Sequence, residues 1–410
     1  MSGYSDTEQY VYVLEAGRIL RKIHSIPAPA TQEDWEIRFN RIVWCAQKAP
    51  LFASSIVWCA QKAPLFASGI VNGYFDDNVP MGFWRLLALY ISSNTLSSVY
   101  WAIPFGQDEV NTMLNQAKEV LSWYDNMRNP VPTWYFKGYY LQYIDGIPFK
   151  LKSAFDFSFM KEYGTVFKVY DDQDSGNICF GTEKDGQRYF VKFAGAPTEQ
   201  FGGDPADAIS RLKATLPIYS DLKHENLIEL IEAKEIGDGF AMVFKWADGD
   251  CMGRMYPAAH RRFMQLPIND RLAVFSDILS FLECVASRKY VAIDFYDGSI
   301  MYDFANGKTT ICDIDLFHKQ PCVNDMGRMW GSSRFQSPEE YQLGADIDEI
   351  TNVYTLGATA FALFGEYNRT REKWQLSDKL FEIATRAVSD DRTKRQQSIR
   401  QFTAEWEAAQ

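Results

Sequence analysis

The chain has 410 residues, of which 47% are hydrophobic, and its formal net charge is −11. A chain of this length can bury more than one core, so two or three domains are expected. The acidic balance argues against a nucleic-acid surface as the main function. No apolar run reaches the roughly 20 residues that span a bilayer, and the start Met1–Tyr10 is polar rather than leader-like. We therefore expect a cytoplasmic protein without a membrane partner.

Seven cysteines and four histidines are scattered along the chain. The cysteines form no CxxC pair, which suits reduced thiols better than a disulfide framework or a zinc site. No two histidines have the spacing of metal ligands. The carboxylates are therefore the better candidates for chemistry.

One segment is repeated without change. Residues 42–54, IVWCAQKAPLFAS, recur at 56–68. Repeat architectures use longer units in several diverged copies, so we interpret this pair as a recent duplication or an assembly artefact. Pro50 and Pro64 are expected to end any helix within each copy.

The first predicted domain covers residues 1–145 and is mostly α-helical. FWRLLALYISSNTLSSVYWAIPF and VNTMLNQAKEVLSWYDNM have the pattern of two buried, aromatic-rich helices. With LRKIHSIPAP, they resemble the C-terminal helical lobe of aminoglycoside phosphotransferases. EDWEIRFNRIVWCAQ stands where that family has its catalytic loop, so this domain is expected to be inactive. His24 is interpreted as a helix-end or core histidine.

The second predicted domain covers residues 155–410 and begins with alternating segments. GTVFKVYDD, SGNICFGTEKDG and QRYFVKFAG predict three antiparallel strands. A helix is predicted over 205–222, and LKHENLIELIEAKEIGDGFAMVFKWADG predicts two more strands. The remainder is predicted to be helical, apart from a hairpin at 291–317, VAIDFYDGSIMYDFANGKTTICDIDLF, whose acids are expected to meet at one rim. The predicted fold class is α+β.

The order and spacing of these pieces resemble a protein kinase. The resemblance implies a bilobal fold, with a five-stranded N-lobe at 155–245 and a helical C-lobe at 246–410. YFVKF resembles the strand that bears the phosphate-contacting lysine, here Lys192. Asp294 matches the catalytic-loop aspartate, and Asp313 in CDID matches the aspartate of the Asp-Phe-Gly motif. WGSSRFQSPEE resembles the end of an activation segment, and the implied ion pair of that segment joins Glu339 to Arg395.

The resemblance also implies ATP and Mg²⁺ as cofactors. Phosphoryl transfer needs positioned cations around the phosphates and an acceptor hydroxyl held in line. Lys192 would hold the α and β phosphates, Asp313 would bind Mg²⁺ with Ser299 in the place of the metal-binding asparagine, and Asp294 would take the acceptor's proton. The implied nucleotide contacts are Val243, Phe244, Trp246 and Ala247 at the hinge, and Gly176 and Gly181 over the phosphates.

Several positions depart from the family's pattern. No helix glutamate is identifiable as a partner of Lys192, since counting back from KHENL reaches Thr215 and leaves Asp207 and Glu199 as distant substitutes. Ser299 is a shorter metal ligand than asparagine, which Asp297 or Asp315 could supplement with full charge. The remaining changes are Ala292 and Ile293 in place of His-Arg, Tyr296 in place of a lysine, Asp315 in place of the motif's glycine, and Asn352 in place of the aspartate that tethers the catalytic loop.

Three functions follow from this pattern. The leading one is an ATP-dependent protein serine/threonine kinase with a protein substrate, because the segment from Asp313 to Glu339 ends in Ser-Pro-Glu as a peptide-docking segment does. The second is a nucleotide-binding pseudokinase or scaffold, which the changed positions favour. The third, an aminoglycoside-type small-molecule kinase, is suggested by the first domain alone.

Overall fold

The structure, a computed structural model, describes residues 6–24, 60, 63–124 and 129–410. The chain divides into two compact units, Met1–Ala154 and Phe155–Gln410. The first copy of the duplicated segment, the stretch EDWEIRFNRIVWCAQ and the side chain of His24 lie outside the described residues. No helix within the described ranges has both the length and the apolar character needed to cross a membrane.

Helices form most of the first unit as far as it is described. Pro64, in the second copy of the duplicated segment, lies in the first turn of a helix, where its missing N–H costs no hydrogen bond. The bounds of the elements are α1 (Asp6–His24), α2 (Pro64–Phe75), α3 (Met81–Ala102), α4 (Gln107–Ser122), β1 (Tyr140–Ile144) and β2 (Ile147–Leu151).

Close packing of α1 on α2 depends on glycine. A Cβ atom on Gly73 would lie 1.9 Å from the Leu14 carbonyl oxygen, and one on Gly17 would lie 2.3 Å from the Ile70 carbonyl oxygen. No side chain fits in these gaps, so the two backbones touch directly. At the end of the unit, β1 and β2 pair as a hairpin around Asp145 and Gly146, both with positive φ. The helical pattern had not predicted this hairpin, although Asp-Gly is a strong turn signal.

A five-stranded antiparallel sheet opens the second unit, in the order β3 (Thr165–Tyr170), β4 (Asn177–Lys184), β5 (Gln187–Ala194), β7 (Gly239–Lys245) and β6 (Leu230–Ile236). All five predicted strands and the predicted helix are confirmed. Asp204 begins that helix, because its carboxylate accepts a hydrogen bond from the Ala206 N–H at 2.9 Å. This helix is α5 (Pro205–Asp221).

The two faces of this sheet differ in what covers them. Phe180 and Phe193 are fully buried on one face, where the ring of Phe157 packs 5.4 Å from Phe180 and 6.1 Å from Phe193. Side chains alternate along a strand, so Phe190 and Lys192 point to the opposite face. That second face carries the lysine predicted to contact phosphate.

The rest of the second unit is mainly helical, and its core is rich in aromatic rings. Trp406 is fully buried and packs 4.7 Å from Phe275 and 5.7 Å from Phe402. Antiparallel sheets together with these helices confirm the α+β class. The elements are β8 (Asp250–Cys251), α6 (Pro257–Met264), α7 (Ile268–Ser287), β9 (Tyr290–Val291), β10 (Ile300–Asp303), β11 (Lys308–Ile311), β12 (His318–Lys319), β13 (Cys322–Val323), β14 (Asp346–Ile347), α8 (Glu349–Phe364), α9 (Asp378–Ala387) and α10 (Ile399–Ala409).

Candidate active site

The predicted hairpin forms from β10 and β11. Ile300 pairs with Ile311, and both are fully buried, which anchors the open end of the hairpin in the core. Asp303 fixes the opposite end, since its carboxylate accepts a hydrogen bond from the Ala305 N–H at 2.8 Å. Beyond Ile311, the Cys312 N–H donates to the Ser299 carbonyl at 2.8 Å. The segment that ends at Ser299 and the segment that starts at Cys312 therefore leave the core side by side.

Lys192 reaches from the sheet to the second of these segments. Its Nζ lies 3.0 Å from Asp313 Oδ1 and 2.7 Å from Asp315 Oδ2. The lysine side chain is 12% exposed and that of Asp315 is 17% exposed, whereas that of Asp313 is 59% exposed. Strand β5 and the CDID segment are thus joined by one cation and two carboxylates.

Burial and the charges of this cluster keep both Lys192 and Tyr219 protonated. Burial lowers the pKa of Lys192, but the carboxylates of Asp313 and Asp315 more than offset it, so the pKa is well above the usual value. The pKa of Tyr219 is also well above its usual value, through burial first and then through Asp315. Lys192 therefore stays charged, and the Tyr219 hydroxyl keeps the proton that it donates to Asp315 Oδ1 at 2.9 Å.

Asp294 lies close to this cluster in a strained backbone conformation, with φ of 58°. Its side chain is half-buried. Burial, with smaller contributions from Asp313 and Asp174, raises the pKa of Asp294 to about 6. The Ser332 backbone N–H donates to the same carboxylate and opposes the rise. A carboxyl with this pKa changes its charge near neutral pH, as a general base does.

Asn352 holds the loop that carries Asp294. The amide nitrogen of Asn352 donates to the Ala292 carbonyl at 2.9 Å, and its oxygen accepts from the Ala292 N–H at 2.7 Å. The side chain is 1% exposed, so both bonds are shielded from water. The amide of Asn352 therefore tethers the loop by two hydrogen bonds.

The hydroxyl of Ser299 is buried and finds no hydrogen-bond partner among the described residues. A buried hydroxyl without a partner is costly, and it is suited to a ligand that supplies one. Within the described part of the chain, no three His, Cys, Asp or Glu side chains form a metal-holding group.

Asp297 has a different role from the one considered in the sequence. It is 2% exposed and accepts from Arg334 Nη1 at 3.0 Å and Nη2 at 3.1 Å. The Tyr367 hydroxyl and the Arg254 backbone N–H also donate to it. Its two oxygens are engaged by the protein, so Asp297 is not free to supplement Ser299. Sequence reasoning missed Arg334, because nothing local to SSRF predicts an ion pair with a distant loop.

The predicted ion pair between Arg395 and Glu339 fixes the segment that contains Arg334 at a second point further along the chain. Arg395 Nη1 lies 2.7 Å from Glu339 Oε1, and Nη2 lies 3.0 Å from Oε2. The Arg395 side chain is fully buried and that of Glu339 is 5% exposed. Burial raises the pKa of Glu339, but the hydrogen bond from Arg395 opposes it strongly enough that the pKa is below the usual value. The segment from Gly331 to Glu339 is thus held at both ends.

Aromatic rings occupy the hinge end of the face that carries Lys192. Phe190 stands opposite Phe244 on β7, and its ring lies 5.8 Å from Tyr170. The rings of Phe167 and Trp246 meet edge to face at 5.0 Å. Of the other implied hinge residues, Val243 alternates with Phe244 and therefore points to the other face of the sheet, and Ala247 is half-buried beyond β7.

Neither implied glycine opens onto free space. A Cβ on Gly181 would lie 2.7 Å from the ring of Phe167, and one on Gly176 would lie 2.7 Å from the ring of Phe201. Gly176 also has a φ of 85°, which a residue with a side chain rarely adopts. Both glycines are therefore needed for packing within the unit.

The structure thus brings Lys192, Asp294, Asp313 and Ser299 to one end of the hairpin. Of the implied hinge contacts, Phe244 lies on the face of the five-stranded sheet that carries Lys192, Val243 points to the other face, and Trp246 and Ala247 lie beyond β7. A comparison with family models finds no match for this chain, and no curated protein matches it.

Proposed function

We propose that residues 155–410 form a divergent protein-kinase-like phosphotransferase that moves the γ-phosphate of ATP to a hydroxyl group. The observation that carries this proposal is the contact of Lys192 with Asp313 at 3.0 Å, next to an aspartate, Asp294, whose pKa is about 6. A strand lysine, an exposed carboxylate and a half-buried carboxylate are the three charges that such a reaction needs.

Each residue has a separate task in this proposal. Lys192 binds the α and β phosphates and neutralises part of their charge. Asp294 accepts a hydrogen bond from the acceptor hydroxyl and takes its proton as the oxygen attacks the γ-phosphorus, whose bond to the bridging oxygen of ATP breaks so that ADP leaves. The tether from Asn352 to Ala292 and the bond from Ser332 hold Asp294 in place for that step. Correct placement of the reacting groups accounts for a large part of such catalysis.

Asp313 and Ser299 are the residues that would hold Mg²⁺. Asp313 is exposed enough to turn towards a cation, and the Ser299 hydroxyl lacks a partner among the described residues. When bound, Mg²⁺ would neutralise charge on the transferred phosphate. The donor set of hard oxygen ligands suits this cation.

A protein hydroxyl is the proposed acceptor. The segment from Gly331 to Glu339 is tied down by Arg334 on Asp297 and by Arg395 on Glu339, and its Ser332 backbone contacts Asp294. A fixed segment beside the proposed base gives an extended peptide an edge to lie against. Serine or threonine in such a peptide would present its hydroxyl to Asp294.

Titration of the purified chain with ATP, with and without Mg²⁺, tests the proposal. We expect Mg²⁺-dependent binding that falls at least about tenfold in Lys192→Met, because charge-assisted contacts to phosphate contribute about 1.5–3 kcal/mol. Lys234→Met is the matched control, since Lys234 has a carboxylate partner at 2.7 Å, Glu162, as Lys192 has in Asp315. Absence of ATP binding by the unmodified chain would refute the proposal.

A second candidate function, a scaffold that transfers no phosphate, is favoured by the rings at the hinge end. Phe190 and the Phe167–Trp246 pair take up space on the face of the sheet where the adenine ring of ATP would lie. In that case the Lys192 cluster would stabilise the fold without serving a nucleotide.

A further inference from the structure

We infer that Asp315, held by Tyr219, is the positioning residue that keeps Lys192 in place for the phosphates. This inference rests on the proposed function. The sequence offered only Asp207 on α5 and Glu199 before it as distant substitutes for this task, and the structure supplies Asp315 instead, two residues after Asp313.

Both oxygens of Asp315 are engaged. Oδ2 lies 2.7 Å from Lys192 Nζ, and Oδ1 accepts the Tyr219 hydroxyl at 2.9 Å. Hydrogen bonds to charged groups are the strong ones, and both of these are largely shielded from water. Asp315 is therefore pinned between β5 and α5.

The two carboxylates that contact Lys192 differ in solvent exposure and in their number of hydrogen-bond partners. Asp313 is 59% exposed, and among the described residues its side chain contacts only Lys192, at 3.0 Å, whereas Asp315 is 17% exposed and has two partners. A cation that attracts Asp313 would weaken the hold of that carboxylate on Lys192. Asp315 would remain bonded, so Lys192 keeps a fixed partner while Asp313 serves the metal.

Tyr219 connects this arrangement to α5. Its ring packs 5.0 Å from Phe244, which fixes where the hydroxyl points. Thr215, the position reached by counting along the sequence, instead donates to the Leu212 carbonyl at 2.8 Å within its own helix. Helix α5 is therefore linked to Lys192 by two hydrogen bonds that share Asp315, one from Tyr219 and one from Lys192.

On this assignment, Asp315 is not one of the residues that would hold Mg²⁺. A carboxylate with one oxygen on Lys192 and the other on Tyr219 has no oxygen free for Mg²⁺. The alternative considered from the sequence is that Asp315 supplements Ser299 as a ligand of Mg²⁺. It predicts that Asp315→Asn weakens Mg-ATP binding equally whether or not Lys192 is present. The two roles can therefore be told apart by combining variants.

The test measures the affinity of the full chain for Mg-ATP and for adenosine in Asp315→Asn and Tyr219→Phe. In Asp315→Asn, Lys192 keeps Asp313 as its partner and competes with the metal for it, so we expect Mg-ATP to bind about tenfold more weakly. Tyr219→Phe keeps every charge and the ring, and we expect a loss of about threefold to tenfold. Adenosine, which has no phosphate for Lys192, should bind equally in all variants, whereas a folding defect would weaken both ligands.

A double substitution and a control complete the design. In a Lys192→Met background, Asp315→Asn should change the Mg-ATP affinity less than about twofold, because its effect passes through the lysine. Glu162→Gln removes a lysine–carboxylate contact of the same 2.7 Å length outside the cluster, and it should leave binding unchanged.

Three outcomes count against the inference, and they are distinguishable. An equal loss in the Lys192→Met background would make Asp315 an independent ligand, and unchanged Mg-ATP affinity in Tyr219→Phe would remove the link to α5. In either case the proposed function would stand. If the unmodified chain bound no ATP, the proposed function and this inference would both be rejected.

Discussion

Asp294 combines two requirements that oppose each other. As the proposed base it must be ionised, yet burial and the nearby charge of Asp313 favour its protonated form and raise its pKa to about 6. Above that pH the folded chain holds a carboxylate in a place that disfavours charge. Such a site trades stability for function.

We expect Asp294→Asn to stabilise the fold at high pH. The folded-state pKa of about 6 lies above the usual value of about 3.9, so the protonated form contributes stability that is complete below about pH 4 and is lost as the pH rises through about 6. Asparagine has no charge to lose. The variant should therefore be more stable than the unmodified chain at pH 8, by on the order of 1–3 kcal/mol, with a difference that shrinks as the pH falls.

Urea unfolding in EDTA between pH 4.5 and 8 measures this difference. Asp248→Asn, at an exposed position, is the control for replacing a carboxylate by an amide. A variant of Asp294 that is equally stable at all pH values would show that burial does not strain this carboxyl.

At the same scale, the sequence could identify some site residues and not others. Lys192, Asp294 and Asp313 carry charges within recognisable stretches, and the structure brings them together. Sequence reasoning missed Asp315 as the partner of Lys192, because the two residues are 123 positions apart in the chain and meet only in the folded structure. Arg334 on Asp297 was missed for the same reason.

The elements of the second unit were predictable where local chemistry determines them. Asp185-Gly186 forms the turn between β4 and β5, and the Ala-Asn-Gly-Lys stretch lies at the turn between β10 and β11, as expected from turn-forming residues. The hairpin of β1 and β2 was missed although it has an Asp-Gly turn, because aromatic and apolar residues there do not alternate with polar ones. Long-range tethers such as Asn352 on Ala292 have no local signal at all.

That tether predicts how an aspartate would behave at position 352. In Asn352→Asp, an ionised carboxylate could still accept the Ala292 N–H, but it would have no proton to donate to the Ala292 carbonyl. Leaving that buried carbonyl without its donor should cost about 1–3 kcal/mol at neutral pH.

Acid should restore part of the loss, because a protonated aspartate again has a donor. Thermal unfolding at pH 7.5 and pH 5 measures the recovery, and Asn269→Asp, at an exposed position in the first turn of α7, is the control. Unchanged stability of Asn352→Asp at pH 7.5 would mean that the loop does not depend on this tether.

At the scale of the whole molecule, every proposed phosphate and metal contact belongs to one unit. Lys192, Ser299, Asp294 and Asp313 all lie within Phe155–Gln410, and the division of the chain falls just before that unit. The sheet and the helical part of this unit share one buried core, which includes Phe244, Phe275 and Ile311. A unit with its own core is expected to fold independently.

We therefore expect residues 155–410, produced alone, to unfold in one cooperative transition and to bind Mg-ATP as the full chain does. Calorimetric unfolding and the same ATP titration on both proteins make the comparison. A folded fragment that binds Mg-ATP at least tenfold more weakly than the full chain would show that the first unit contributes to the site.

The most direct test of phosphoryl transfer follows the γ-phosphate itself. Labelled ATP and Mg²⁺ are incubated with the full chain and with Asp294→Asn, and label on serine or threonine, in the chain or in an added protein, is measured over long times. We predict transfer by the unmodified chain and about 10²–10⁴-fold less by Asp294→Asn, with Mg-ATP affinity nearly unchanged, because the base acts on the acceptor and not on the nucleotide. Equal incorporation by the two proteins, or none by either, would contradict the assignment of Asp294, Lys192 and Asp313 as a phosphotransfer site.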